Sequence, residues 1–264
     1  MIDTQDSKPD VREDLERVGV TDLKTIVEIR WKGVMYRFVP KIEITISLKK
    51  DKKGVHMSRL IESIAETVEE ETEATHNSLE ELEKHILLRL KEKHPYEKAD
   101  ISMETDLVVE KKTPVSRKRT METHNITVAV YSDNGLFRKK ISAEVLGNTV
   151  CPHAMEHAKG KAHIQRTLGV VEVESDYSMP VELEEIISCV EKSFSSPVYT
   201  LLKTADEKKV VEQMFSNPKF VEDVCRSILA NAKKKFKKCR IKAKAISYES
   251  IHRHNVIAEA YTET

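Results

Sequence analysis

The sequence predicts an α+β fold built from two ββααββ modules, and three observations carry that prediction. Some segments alternate apolar and polar residues with a period of two, as half-buried strands do. Others repeat apolar residues at a spacing near 3.6, as amphipathic helices do. The order of the two kinds of segment runs ββααββ through residues 1–134, after an N-terminal extension, and again through 135–264, with little residue identity between the copies.

In the first half, "TIVEIRWK" (25–32) reads as a short strand. In "KIEITISLK" (41–49), Ile42, Ile44, Ile46 and Leu48 alternate with Glu43, Thr45 and Ser47, the pattern of a second strand. "MSRLIESIAETVEEE" (57–71) is apolar at Leu60, Ile61, Ile64 and Val68 and reads as a helix. After Asn77 and Ser78, "LEELEKHILLRLKEK" (79–93) gives a second helix that stops at His94-Pro95. The strands "ADISMETDLVVEKK" (99–112) and "HNITVAVYS" (124–132) flank a basic connection, "TPVSRKRT".

In the second half, "FRKKISAEVLG" (137–147) and "HIQRTLGVVEVE" (163–174) read as strands, and "PVELEEIISCVEKSF" (180–194) as a helix. Residues 205–236 form a helix pair or a broken helix, with Asn217-Pro218 as the expected N-cap and first-turn proline of its later part. "CRIKAKAISYES" (239–250) and "NVIAEAYTE" (255–263) close the chain as alternating strands. Each module thus makes a four-stranded antiparallel sheet with helices on one face. The bare face and the exposed edges call for solvent or a partner, so a homo-oligomer is expected, its sheets closing into a barrel between subunits.

Composition narrows the function classes. Forty-four basic residues balance forty-four acidic ones, so no global field draws nucleic acid or an anionic membrane. The basic run "KKKFKKCRIKAK" (233–244) lacks interleaved stacking aromatics and reads as a solvated helix end joined to a strand. No apolar run approaches the roughly 20 residues that span a bilayer, and the polar N-terminus lacks a signal-peptide core, which makes the cytoplasm the expected compartment. The four scattered cysteines read as reduced thiols. With seven glycines and no G-x-x-x-x-G-K-[ST] or G-x-G-x-x-G, a phosphate-bearing ligand must be held by side chains.

One stretch concentrates chemistry. "NTVCPHAMEHAKGKAHIQRT" (148–167) gathers Cys151, His153, His157 and His163 within thirteen positions. Pro152 disfavours helix at Cys151, which places the thiol at a strand end beside a loop. Thiolate and imidazole suit Zn(II) or Fe(II). The spacing C-P-H-x3-H-x5-H matches no zinc-finger pattern, and a polar loop with surface histidines stays open as the alternative. His153 and His157, inside the loop rather than at its anchored ends, read as bystanders.

Several long motifs, in order and over nearly the whole chain, resemble a known family: "VGVTDLKTIVEIRWKG", "KKGVHMSRLIESI", "NTVCPHA…AHIQRT", "SSPVYTLLKTADEKKVVEQMFSNPKFVEDVCR" and "SYESIHRHN". They look like the metal-dependent GTP cyclohydrolases of type IB, or IV, and within them the archaeal MptA branch. The resemblance implies the tunnelling fold (T-fold), tandem ββααββ modules whose antiparallel sheets form an intersubunit barrel, in a dimer or tetramer with active sites between subunits. It implies Fe(2+) as the metal, with Zn or Mn as possible substitutes, held by Cys151, His163 and Glu207. It implies a purine anchor at Glu222 and, at His252, a proton donor or phosphate partner, with His252 and Cys151 as the catalytic residues. His56, Arg59, Gln165 and Arg166 are its candidates for the triphosphate and ribose. The implied substrate is GTP, and the implied products are formate, pyrophosphate and 7,8-dihydroneopterin 2′,3′-cyclic phosphate for methanopterin. A bacterial-like product, dihydroneopterin triphosphate for folate, and a non-catalytic purine- or pterin-binding protein are the rivals. Bacterial members carry C-P-C where this chain has Cys151-Pro152-His153, a departure that points to the archaeal branch.

Overall fold

In the computed structural model, which describes residues 4–70 and 76–262, the chain is α+β with a large antiparallel sheet. Its contacts group into two units that are not contiguous in sequence. The first holds residues up to Thr105 with Thr127–Lys140 and Asp176–Ser178; the second holds Asp106–Ile126, Ile141–Ser175 and Met179 onward. Glu71 and Glu263, the last residues of the expected helix 57–71 and strand 255–263, lie outside the described residues.

The first unit begins with a strand that the periodicity did not reveal. β1 (Leu15–Lys24) runs antiparallel to β4 (Lys41–Leu48). Its burial is low along its whole length, so it carries no clean alternation to read. Gly19 sits opposite Thr45, where a Cβ would stand 1.9 Å from the Ile44 carbonyl oxygen. The segment expected as the module's first strand is instead β2 (Val27–Trp31), paired only with β3 (Val34–Phe38) in a separate hairpin. Lys32 and Gly33, at φ 49° and 83°, form its two-residue turn. β5 (Lys98–Lys112) pairs with β4, and β6 (Arg119–Asp133) and β7 (Leu136–Val150) follow. Asn134-Gly135, both at positive φ, turns β6 directly into β7.

Helices α1 (Met57–Glu70) and α2 (Leu79–Lys93) pack together, with Leu60, Ile64, Leu82, Ile86 and Leu90 wholly buried. Ser78 caps α2 by accepting the Glu81 N–H, and Glu81 reaches back to the Asn77 N–H. Against this apolar face stands Glu83, fully buried on α2. Burial, then the charge of Glu80, push its pKa well above the carboxylate range, and the Met103 backbone offsets little of that. With the folded-state pKa raised, its stabilising contribution is complete below the unfolded pKa of about 4.3 and is lost as pH rises through the folded value. Glu83→Gln is therefore expected to gain on the parent as pH rises from 5 to 8, by about 1–3 kcal/mol. Urea midpoints across that range measure it, and parallel curves for the two proteins refute it.

In the second unit, β8 (Ile164–Asp176), β10 (Arg240–Tyr248) and β11 (Val256–Tyr261) pair in that order, all antiparallel. A short helix, α3 (Pro152–His157), links β7 to β8. α4 (Leu183–Glu191) and α6 (Val221–Lys235) pack on each other, burying Ile186, Val190, Val224 and Ile228, and α6 lies against β10 and β11. A two-residue bridge, β9 (Ser196–Pro197), pairs with β7 ahead of α5 (Thr204–Ser216), a third helix inserted between α4 and α6. Asn217 proves to be the C-cap of α5, not the N-cap of α6, a position that Phe220 takes. Its side-chain amide is committed instead to the Phe194 and Ser195 carbonyls. Among the described residues no helix is long and apolar enough to cross a membrane.

Candidate active site

The donor-rich stretch folds at one corner of the second unit. β7 ends at Val150, and Cys151 follows as N-cap of α3 with Pro152 at the helix start. The Cys151 N–H donates to the His163 carbonyl at 3.3 Å, so the segment between them, α3 included, closes on adjacent strand ends. Beneath them the Thr149 and Thr167 hydroxyls meet at 2.8 Å and fix the β7–β8 register. The Cys151 thiol accepts the Ala154 N–H at 3.4 Å.

His163 is oriented by its neighbours. Its Nδ1 lies 2.9 Å from Gln165 Oε1 and 3.4 Å from Ser250 Oγ. The amide oxygen can only accept, so the proton belongs on Nδ1 and the Nε2 lone pair is left for a Lewis acid. Gln165, nearly buried, has its carbonyl end engaged here and keeps only its NH2 end for a ligand. Arg166, next along β8, is exposed. Ser250 belongs to the β10–β11 loop that carries His252 and His254, both exposed and stacked with ring centroids 5.3 Å apart.

The other expected residues reach this corner through their backbones. Val210 and Met214 of α5 form an apolar cluster with Val150, joined by Ile164 and Met155. Glu207 lies one turn before Val210, exposed in the first turn of α5. The Lys219 N–H donates to the Val150 carbonyl at 3.0 Å, which ties the α5–α6 connection to the residue before Cys151. Glu222 follows three residues later, exposed in the first turn of α6.

The side chains themselves do not converge as expected. Among the described residues, no three histidine, cysteine or acidic side chains are grouped to hold a metal ion. Two causes are visible: the Cys151 thiol faces the α3 cap, and the Glu207 carboxylate lies in solvent. Cysteine and histidine remain neighbours with a suitable imidazole tautomer, so the donor chemistry fits a divalent cation, while the third arm is not drawn in. His153 and His157, on successive turns of α3 with rings 4.3 Å apart, are exposed.

His56 and Arg59 lie in the first unit. They line a cleft of about 490 Å³ with Asp6, Lys49, Lys52 and His94. Its cations are partly answered: Lys52 pairs with Asp6 at 2.6 Å and Lys49 with Glu97 at 2.7 Å. Burial, then Arg59 and His56, lower the His94 pKa.

Three residues were missed by sequence reasoning. Ser250 and His94 gave no local signal. Asp206, fully buried at the start of α5, sat beside the singled-out Glu207; its Oδ1 accepts the Val115 and Ser116 N–H groups, and its Oδ2 the Ser116 hydroxyl and Lys203 N–H.

Comparison with known proteins adds the following. The family described as Type I GTP cyclohydrolase folE2 matches residues 1–258. The GTP cyclohydrolase MptA of Pyrococcus abyssi is 50% identical over 264 residues, covering 98% of this chain and 99% of its own. Its namesake in Thermococcus kodakarensis is 49% identical, covering 99% of both. That of Methanococcus vannielii is 34% identical, over 97% of this chain and 94% of its own. Among solved structures, the uricase of Arthrobacter globiformis superposes with a TM-score of 0.61 at 7% identity, covering 97% of this chain and 96% of that one. A highly active mutant of the Bacillus sp. TB-90 urate oxidase gives 0.54 at 9%, over 95% and 100%. At such identities these two matches speak for the fold alone.

Proposed function

We infer the function from the family: the chain belongs to the type I GTP cyclohydrolase folE2 family, and it is a GTP cyclohydrolase of the methanopterin-pathway, MptA-named kind. We propose further that it hydrolyses the guanine imidazole ring at C8, releases C8 as formate, and forms 7,8-dihydroneopterin 2′,3′-cyclic phosphate with loss of pyrophosphate. The observation that carries this reading is the pairing of Cys151 with His163 at adjacent strand ends, with α5, the α6 entry and the Ser250 loop all fastened to the same corner.

In this reading Cys151, His163 and Glu207 hold a divalent metal, Fe(2+) in the native enzyme, with Zn or Mn able to substitute. When bound, such an ion supplies a Lewis acid that brings the pKa of a coordinated water toward neutrality. The chain's own groups do the rest. The Glu222 carboxylate accepts from guanine N1–H and the exocyclic NH2, which lie side by side and match its two oxygens. The His252 imidazole delivers a proton to N7 as the C8–N bond breaks, imidazole being able both to donate and to regain a proton. His56, Arg59 and Arg166 meet the phosphates, since no glycine-rich cradle exists. The uricase likeness supports a tunnelling fold of tandem ββααββ modules, and the edge strands β1 and β11 support closure of the sheets into a barrel between subunits of a homo-oligomer.

Anaerobic incubation with GTP and Fe(2+), followed by mass analysis, tests the reaction. Formate with a cyclic-phosphate pterin is expected; dihydroneopterin triphosphate would assign the bacterial-like product, and no formate would refute the reaction. Glu222→Ala is expected to raise KM and to lower kcat/KM for GTP by about 10²-fold, two charge-assisted hydrogen bonds being lost. Unchanged kinetics would remove Glu222 from base recognition.

A further inference from the structure

His76 and His85 form a pair of imidazoles in the first unit that the proposed reaction does not use. His76 stands two residues before the Ser78 cap of α2, and its carbonyl accepts the Arg30 N–H of β2 at 2.8 Å, so its backbone is pinned. His85 lies nine positions later, on the second turn of α2. His76 is buried and His85 is exposed, which leaves the outer side of the pair open to solvent.

The facing nitrogens, His76 Nε2 and His85 Nδ1, are 3.3 Å apart with their rings tilted by 60°. Two nitrogens held at about 2.0–2.1 Å from one tetrahedral cation stand about 3.3–3.4 Å apart. The separation is therefore that of two ligands on one ion as well as that of a ring-to-ring hydrogen bond. The far side of His76 favours the ion. Its Nδ1 faces Glu81 Oε2 at 4.0 Å, and the Asn77 N–H holds that carboxylate at 2.8 Å. At that distance the carboxylate acts through its charge and not through a hydrogen bond, and a negative charge on this side favours the proton on Nδ1, with the Nε2 lone pair toward His85. His85 presents its Nδ1 to the same point from an exposed side chain.

We propose that His76 Nε2 and His85 Nδ1 bind one borderline divalent transition cation, such as Zn²⁺, with solvent completing its shell. The ion staples the segment entering α2, already tied to β2 through Arg30, to the second turn of that helix. This site is separate from the Cys151/His163 centre and does not depend on it.

The test uses the full chain carrying Cys151→Ala and His163→Ala, which disables the other proposed centre, titrated with Zn²⁺ against a chromophoric chelator. One equivalent is expected to bind and to raise the unfolding midpoint. Adding His85→Gln, an exposed position, is expected to weaken binding by at least ~10-fold and to abolish the midpoint shift. Glu81→Gln, which keeps a carbonyl oxygen for the Asn77 N–H and removes the charge behind the ligand, is expected to weaken it by roughly 10-fold. His153→Gln with His157→Gln is expected to change neither readout. In the otherwise unaltered chain, His85→Gln lowers bound Zn²⁺ by one equivalent and leaves GTP turnover unchanged. Absence of Zn²⁺ binding in the disabled background, or equal binding with and without His85, overturns the proposal and leaves the pair a hydrogen bond. Loss of GTP turnover in the Cys151 and His163 variants bears on the other centre alone.

Discussion

Replacing Cys151 with serine is expected to leave the fold intact while lowering GTP turnover by about 10³-fold, the loss of about 4 kcal/mol of transition-state stabilisation. The cap that this residue forms and the ligand role proposed for it respond oppositely to the change. As N-cap of α3, Cys151 accepts the Ala154 N–H at a long 3.4 Å. A serine hydroxyl is a preferred N-cap acceptor, so the helix start is kept. As a metal ligand, a neutral hydroxyl is harder and far weaker than a thiolate, so the ion should be lost. The matching measurements are metal content after purification, the unfolding midpoint and single-turnover kinetics. Metal below a tenth of the parent's with an unchanged midpoint is the expected result. Near-parental turnover by the serine variant would remove Cys151 from the centre. Cys151→Ala serves as the second variant, losing both cap and ligand, so its difference from serine isolates the structural role.

Much of the architecture was legible because its signals are local. Ile42, Ile44, Ile46 and Leu48 alternate along β4, and all four are buried. Leu82, Ile86 and Leu90 mark the buried stripe of α2. What escaped lacks a local signature. β1 is an edge strand exposed on much of both faces, so its burial imposes no alternation on its sequence. The 25–32 segment has strand propensity, but propensity does not name a partner, and the partner is β3. Asn134-Gly135 is a strong hairpin signal by residue type, and it lies at the boundary drawn between the two halves at 134 and 135. There the chain turns back on itself as a hairpin within the first unit.

Of the candidate site, the backbone corner that joins Cys151 to His163 was legible, and the side-chain geometry was not. Cys151 and His163 were expected at strand ends flanking a loop, and the backbone pairs them there. Glu207 depended on resemblance alone, and its carboxylate stays in solvent beside its helix start. The groups that fasten the corner, Lys219 on Val150 and Ser250 on His163, join residues tens of positions apart, and no spacing rule links them. Periodicity reports which face of an element is buried. It does not report which distant polar group will meet a given carbonyl.

The buried Asp206 carries the second large effect. Burial opposes its charge, yet the Ser116 hydroxyl and the Ser116, Val115 and Lys203 N–H groups outweigh that and hold its pKa well below the usual carboxylate range. One carboxylate thus ties the 113–118 turn to the first turn of α5, immediately before Glu207. Asp206→Asn keeps the shape but turns one acceptor into a donor. Whichever way the amide sits, its NH2 faces a backbone N–H or the Ser116 hydroxyl. The unfolding temperature is expected to fall by roughly 5–10 °C at pH 7. Because the folded-state pKa is depressed, the clamp's contribution is complete above the unfolded aspartate pKa of about 3.9 and is lost only as pH falls through the folded value. The gap between parent and variant should therefore stay constant from pH 8 to pH 5 and close only in stronger acid. A gap already closed at pH 5 would mean that another group sets the difference. Since the same turn carries Glu207, the variant should also bind the metal more weakly at temperatures where both proteins are folded. Metal affinity unchanged beside a lowered unfolding temperature would confine Asp206 to holding the fold and detach it from the positioning of Glu207.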